Sequence, residues 1–181
     1  MKNSRPRKQK GFTLIEVMVA MAVLVFGVLS LVSVFTQGLR ASYQTQIQYI
    51  AQQKAQEAME SIFTARDTRL VTSAQINNVA NGGIFKDNAQ QMCAPGPDGL
   101  FGTADDDCTN PDSIVIAPGP DNIFGTADDV SINLNPWMTR TIVIAPVANT
   151  PNLKSITVTV NWTSQGQKSQ YQIASFISNF S

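Results

Sequence analysis

The hydrophobic pattern of the N-terminal third predicts one long helix with two different halves. An almost wholly apolar run extends from Phe12 to Phe35 without a proline. At 1.5 Å rise per residue it would span about 36 Å, enough to cross a bilayer. From residue 36 to 66 the composition turns polar, but apolar positions recur at three- and four-residue steps: Leu39, Tyr43, Ile47, Ile50, Ala55, Ala58, Met59 and Ile62. This spacing predicts an amphipathic continuation whose stripe, with Ala51 among its small residues, packs closely on a sheet.

The last fifty residues show the period of β-structure. Segments 140–147 and 154–164 are rich in β-branched residues, and 169–178 follows a turn at 164–167. In the middle segment, apolar side chains alternate with polar ones: Ile156, Val158, Val160 and Trp162. Alternation of this kind predicts antiparallel strands with one buried face. The whole chain is therefore expected to be α+β.

A basic leader precedes the apolar run. It carries five positive charges: Lys2, Arg5, Arg7, Lys8 and Lys10. By the positive-inside rule, this end stays in the cytoplasm and the C-terminal part lies on the other side of the membrane. A secretory signal is cleaved after its apolar region, whereas the plausible site here precedes it. An uncleaved signal anchor fits the charge pattern as well, but it leaves Gly11, Phe12 and Glu16 unexplained.

The sequence KGFTLIE at the start of this run resembles the N-terminus of type IV pilins and pseudopilins. The resemblance covers residues 8 to about 35, with Gly11 before the cleavage point, Phe12 first in the mature chain and Glu16 fifth. It implies cleavage by a prepilin peptidase between Gly11 and Phe12, and methylation of the new α-amine. It also implies the pilin fold, in which a long N-terminal helix packs on a C-terminal antiparallel sheet.

Glu16 is the one charge in the apolar run. A carboxylate near the membrane core costs roughly 2.5–3.5 kcal/mol on insertion scales, which points to a function. We expect it to act in assembly by pairing with the α-ammonium of Phe12, on the same or a neighbouring subunit. The alternative is a carboxylate resting at the level of the lipid headgroups.

Composition argues against an enzyme or a nucleic-acid-binding protein. The leader holds five of the thirteen Lys and Arg, so the mature chain has eight basic side chains against thirteen acidic ones. It is mildly acidic and has no basic stripe for nucleic acid. Histidine is absent, which removes the commonest general base and metal ligand.

Cys93 and Cys108 are the only cysteines. The predicted topology places both outside the cytoplasm, where an oxidising compartment favours a disulfide. The bridge would close a short loop, near the 15-residue case that loop-entropy models value at about 3 kcal/mol. Two free thiols or a two-cysteine zinc site are the alternatives.

A 14-residue sequence occurs twice. APGPDGLFGTADDD at 94–107 returns as APGPDNIFGTADDV at 117–130, with eleven of fourteen positions identical. Between Lys86 and Arg140 there are nine Asp and no Lys or Arg. Ca²⁺ prefers carboxylate and loop carbonyl oxygens, so one site is predicted in each copy. The predicted ligands are Asp98, Asp105 and Asp106 in the first copy, and Asp121, Asp128 and Asp129 in the second.

The alternative for these repeats is structural. Pro-Asp-Gly and Pro-Asp-Asn form turns, and Thr-Ala-Asp-Asp is a sound first turn of a helix. Phe101 and Phe124 would then each bury a ring and anchor an exposed loop.

These patterns divide the chain into six parts: a cleaved leader 1–11, a transmembrane helix 12–35, an amphipathic half 36–66, a connection 67–92, an Asp-rich insertion 93–130 and a sheet 131–181. The strand V-T-V-x-W, its glycine turn and the Tyr-containing last strand resemble the C-terminal hairpin of minor pilins of the type IV pilus modification class.

This resemblance implies a minor pilin of the inner membrane that enters the priming complex or tip of a pilus. Its implied partners are other minor and major pilins, the prepilin peptidase and the inner-membrane assembly platform, with lipid before assembly. A minor pseudopilin of type II secretion is the closest alternative. A tip protein that binds a ligand or Ca²⁺ through the Asp-rich repeats is an alternative of another class.

Overall fold

The computed structural model describes residues 11–150, 152–164 and 166–178. The predicted leader therefore lies outside the described residues, except for Gly11. The chain divides into two compact units, Met1–Thr45 and Gln46–Ser181.

One helix, α1, runs without a break from Leu14 to Asp67. This confirms the single long helix predicted from the two hydrophobic patterns. Every described residue from Gly11 to Gln46 is exposed, and Ile47 is the first buried one. The predicted stripe was wrong at its start, because Leu39 and Tyr43 expose 55% and 54% of their surface. Helical spacing alone does not tell where along a helix its packing partner begins.

Eight strands follow the helix in the described part of the chain: β1 Gln90–Gln91, β2 Cys93–Ala94, β3 Asp107–Pro111, β4 Ser113–Ala117, β5 Val130–Asn133, β6 Met138–Pro146, β7 Leu153–Ser164 and β8 Gln167–Ser178. Four of them form an antiparallel sheet in the order β1-β6-β7-β8. The other four form two separate hairpins, β2–β3 and β4–β5. The α+β arrangement with a C-terminal antiparallel sheet is confirmed.

The core of the second unit lies between the last third of α1 and one face of this sheet. Helix residues Ala51, Ala55 and Ala58 are fully buried, so their small side chains let the sheet come close. Alternate residues of β7 supply the opposite wall: Ile156, Val158, Val160 and Trp162 are 0–8% exposed. Both sets belong to one hydrophobic cluster. The alternation predicted from the sequence is confirmed.

The connection between α1 and the hairpins covers the outer edge of β6. It contains a 3₁₀ helix, Val79–Asn81, and the short strand β1, which pairs with β6 at Arg140. Further along β6, the Asn78 side chain takes the place of a strand. Its Nδ2 donates to Ile142 O at 2.8 Å, and its Oδ1 accepts from Ile144 N at 2.7 Å. The backbone groups of this edge are thereby hydrogen-bonded rather than exposed.

Candidate processing segment and repeat loops

Each 14-residue repeat forms the loop of one small hairpin. The first connects β2 to β3, and the second connects β4 to β5. Cys93 on β2 and Cys108 on β3 form a disulfide with a Cα–Cα distance of 4.6 Å. The bridge closes the first loop at its base, while the second hairpin has no cysteine.

The carboxylates of the two loops make matching hydrogen bonds. In the first loop, Asp98 accepts from Leu100 N at 2.8 Å, Asp106 from Gly102 N at 2.8 Å, and Asp105 from Thr103 Oγ1 at 2.7 Å. In the second loop, Asp121 accepts from Ile123 N at 2.8 Å, Asp129 from Gly125 N at 2.6 Å, and Asp128 from Thr126 Oγ1 at 2.7 Å. The shared sequence thus builds the same turn network twice.

Backbone geometry repeats as well. Gly102 and Gly125 have φ angles of 82° and 89°, in the left-handed region that favours glycine. At the earlier turn Gly99 has φ 68° and its counterpart Asn122 has φ 57°. Asn is one of the few other residues that adopt this conformation readily, which explains why the substitution leaves the turn intact.

The pKa values of the loop aspartates are shifted in different directions. The Thr103 hydroxyl lowers the pKa of Asp105, and the Thr126 hydroxyl lowers the pKa of Asp128. Burial raises the pKa of Asp98, and burial also raises the pKa of Asp106. Hydrogen bonding and burial therefore act in opposite directions within one loop.

Calcium remains a prediction for these loops. Within residues 11–150, 152–164 and 166–178, no group of three or more His, Cys, Asp or Glu side chains comes together in a way that could hold a metal ion. The hydrogen bonds given above account for the repeated Asp positions as turn residues. Thr-Ala-Asp-Asp begins no helix in either copy and forms turns instead.

The apolar residues of the two loops have opposite environments. Leu100 and Phe101 are 0% and 4% exposed, whereas Ile123 and Phe124 are 60% and 64% exposed. The expectation of one buried ring per loop is correct for Phe101 and wrong for Phe124. The Phe101 ring lies under the guanidinium of Arg140, 4.2 Å from its Cζ, and it belongs to the main core cluster.

The N-terminal segment presents the predicted cleavage point outside regular structure. Gly11, Phe12 and Thr13 precede α1, and all three are exposed. Thr13 caps the helix: the Glu16 N–H lies 3.4 Å from Thr13 Oγ1 and 3.1 Å from Thr13 O. The spacing is that of a capping box, which places the Glu16 carboxylate in the first turn.

The four-residue spacing of Phe12 and Glu16 predicts that they share one helix face, but Phe12 lies before the first helical residue, Leu14. Both residues line one shallow groove, whose remaining residues are Val17, Ala20, Met21 and Leu24. The Phe12 side chain and the Glu16 carboxylate therefore lie on the same side of the segment.

Residues 6–32 match a family model described as the prokaryotic N-terminal methylation motif. No curated protein and no solved structure matches the chain. The motif supports a type IV pilin-like or pseudopilin-like subunit. It implies processing by a prepilin peptidase and assembly with other pilins, and it points to a structural subunit rather than an enzyme.

The helix that carries this motif is long and apolar enough to cross a membrane. It is the one such helix within the described part of the chain, by length and composition. The large apolar side chains from Phe12, just before the helix, to Phe35 expose between 44% and 84% of their surface. Motif and helix together are consistent with an inner-membrane anchor.

A buried charged cluster in the second unit was missed by sequence analysis. Lys54 Nζ of α1 donates to Asp112 Oδ1 at 2.7 Å, and Asp112 Oδ2 faces Arg140 Nη1 at 4.0 Å. Burial would lower the pKa of Lys54, but hydrogen bonds to Asp112 and Glu57 raise it above its ordinary value. Burial lowers the pKa of Arg140. A signal existed, because Lys54 falls within the stripe formed by Ala51, Ala55 and Ala58 and needs an acidic partner there.

Proposed function

We propose that the chain is a minor type IV pilin that is processed, held in the inner membrane and then incorporated at the priming complex or tip of a pilus. The observation that carries this proposal is the methylation motif at residues 6–32, directly at the start of an exposed apolar helix. The exposed large apolar side chains from Phe12 to Phe35 support it, because they are available to pack with helices of other subunits.

Each residue of the motif has a role in this proposal. Gly11 has no side chain to hinder a peptidase, and the Gly11–Phe12 bond lies in an exposed segment before the helix. Cleavage there creates an α-ammonium at Phe12, which is then methylated. Glu16 lies on the same side of this segment. In a fibre of packed apolar helices, a carboxylate without a partner would cost several kcal/mol, so pairing with an α-ammonium would set the register between subunits.

The insertion of residues 93–130 favours a pilus subunit over the alternative, a minor pseudopilin of type II secretion. It adds two hairpins outside the four-stranded sheet, and the second exposes apolar side chains. A surface feature of this kind suits a subunit at an exposed end. Deleting the gene and measuring surface pili and exoprotein secretion in parallel separates the two. Loss of pili with normal secretion supports the proposal, and the reverse result supports the pseudopilin.

A paired substitution tests the role of Glu16. We expect Glu16→Ala to be cleaved and inserted normally but to be depleted from the fibre, because its helix lacks the partner for the α-ammonium. Glu60→Ala is the matched control, since Glu60 is an exposed glutamate of the same helix. Quantitative immunoblots of membrane and sheared-pilus fractions give both values. Equal incorporation of the two variants would contradict the proposed role.

A further inference from the structure

The second hairpin, β4–β5 with its repeat loop, carries a set of exposed apolar side chains. Six large ones expose 41–64% of their surface: Val115, Ile116, Ile123, Phe124, Val130 and Ile132. A two-stranded hairpin alone is marginally stable in water, and exposed large apolar side chains on it are candidates for an interaction surface. The first repeat loop packs on the sheet of this chain, and its contacts indicate the kind of surface that the second loop could bind.

The first loop is seated on a surface that can be described atom by atom. Phe101 lies under the Arg140 guanidinium at 4.2 Å. The loop backbone at Gly102 approaches the sheet so closely that a Cβ there would be 2.9 Å from Ile142 Cδ1. Gly102 O also accepts from Lys86 N at 2.8 Å. The first loop therefore packs on an aliphatic strand surface, under a guanidinium, and accepts a hydrogen bond from a backbone N–H of the neighbouring segment.

The second loop makes the same turns and carries a corresponding aliphatic–phenylalanine pair, but it has no binding surface within the described residues. Its carboxylate hydrogen bonds and its left-handed turn match those of the first loop, with Ile123 and Phe124 in place of Leu100 and Phe101. A preformed loop loses little conformational entropy on binding, and buried aromatic residues supply much of the binding energy at interfaces.

Charge restricts the partner further. The second loop carries Asp121, Asp128 and Asp129, and the sequence has no basic side chain between Lys86 and Arg140. Such a surface repels anionic lipid headgroups and attracts a basic protein surface. In this chain, the surface that would match is already covered by Leu100 and Phe101. This occupancy favours a different subunit over a second copy.

We propose that Ile123 and Phe124 dock the second repeat onto the globular domain of a neighbouring pilin-like subunit, which presents an arginine or lysine beside an aliphatic β-sheet surface. This inference rests on the proposed function, because the docking partner is another subunit of the same pilus. Phe124 is the anchor, and the acidic loop orients it.

Site-specific photo-cross-linking tests this docking with the full-length chain in pilus-producing cells. A photoreactive phenylalanine analogue replaces Phe124, and the matched control places it at Phe176, which is equally exposed at 63% on β8. After irradiation, cross-linked peptides are mapped in membrane and fibre fractions. We expect position 124 to join a peptide that contains Arg or Lys in a different subunit with a prepilin-type N-terminus. The yield should exceed that of position 176 by on the order of tenfold.

The other outcomes of this experiment overturn the docking. They are a lipid adduct, a cross-link within the chain, a cross-link to a second copy or to a protein of another class, and equal yields at the two positions. A second experiment compares the variants Phe124→Ser and Phe176→Ser by the amount of neighbouring subunit that co-purifies with each. We expect about tenfold less co-purified neighbouring subunit for the first variant only, with unchanged melting temperatures for both. Absence of the processed wild-type chain from the fibre would refute the proposed function. Presence in the fibre without the cross-link at 124 would refute the docking alone.

Discussion

The two repeats have nearly the same sequence and the same loop, yet they lie in different surroundings. Both accept the same hydrogen bonds on corresponding aspartates, and both turn at a glycine with positive φ. The first buries its Leu-Phe pair against the sheet, and the second exposes its Ile-Phe pair to solvent. Local sequence therefore determines the turn, whereas the neighbouring strand and the charges on it determine whether the loop is buried.

Two features hold the first loop in place and have no counterpart at the second loop within the described residues. The disulfide between Cys93 and Cys108 closes the first hairpin at its base. The buried cluster of Lys54, Asp112 and Arg140 joins the helix, the residue that follows β3, and β6, and its Arg140 covers the ring of Phe101. Substitutions in each feature should therefore affect the two loops differently.

Truncating the two phenylalanines should have very different effects on stability. Phe101→Ala is expected to lower the free energy of unfolding by about 3–5 kcal/mol, because it leaves a cavity in the core. Phe124→Ala, at an exposed position, should change it by about 0.5 kcal/mol or less. Denaturant titration of the detergent-solubilised chain, followed by the fluorescence of Trp137 and Trp162, measures both. Equal losses of unfolding free energy in the two variants would contradict the difference in environment between the two loops.

Breaking the buried ion pair should have a similar or slightly smaller effect. Lys54→Met leaves the Asp112 carboxylate buried beside Arg140, and removal of one partner from such a pair costs about 3–5 kcal/mol. Lys168→Met, at an exposed position on β8, is the matched control and should be close to neutral.

The same pair predicts an alkaline limit of stability. The folded-state pKa of Lys54 is raised above its ordinary value of 10.5, mainly by Asp112 and Glu57 working against burial. Its contribution is therefore complete below pH 10.5 and is lost as pH rises through the folded-state pKa. Stability curves for wild type and Lys54→Met should converge in that alkaline range. A difference between the two curves that stays constant as pH rises well past 10.5 would show that Lys54 does not titrate as this pairing requires.

Removing the disulfide should make the first loop behave more like the second. The double variant Cys93→Ser with Cys108→Ser is expected to lose about 3 kcal/mol, the value for a loop of this length. Hydrogen exchange should then speed up at residues 94–107 and stay unchanged at 117–130. A uniform change across both loops would mean that the bridge does not act locally.

Calcium binding, still a prediction, would have the smallest effect. Since the two loops make the same hydrogen bonds, both should bind or neither should. Binding to the folded state alone would stabilise the domain by about 2.7 kcal/mol at a hundredfold excess over Kd. Melting in millimolar Ca²⁺, in EGTA and in Mg²⁺ measures this. Equal melting temperatures would leave the loops as acidic turns, and a Ca²⁺-specific rise should disappear in Asp98→Ala with Asp121→Ala.

The sequence was sufficient for the features that rest on periodicity. The 3.6-residue pattern predicted α1, and the alternation of Ile156, Val158 and Val160 predicted the buried face of the sheet. Features that rest on contacts distant in the chain were missed. Asn78 acts as a strand beside β6, which is 64 residues away, and Lys54 finds Asp112 at a separation of 58 residues. For the same reason, the environments of Phe101 and Phe124 could not be distinguished from two nearly identical sequences.

The central claim concerns the N-terminus, where the Gly11–Phe12 bond precedes an exposed apolar helix that carries the methylation motif. Intact-mass analysis with N-terminal peptide sequencing of the protein from membrane or pilus fractions tests it directly. We expect a mature chain that has lost residues 1–11 and begins with a singly methylated Phe12. Gly11→Leu should leave the precursor uncut. A mature wild-type protein that still begins at Met1, or that begins after residue 35, would contradict the account.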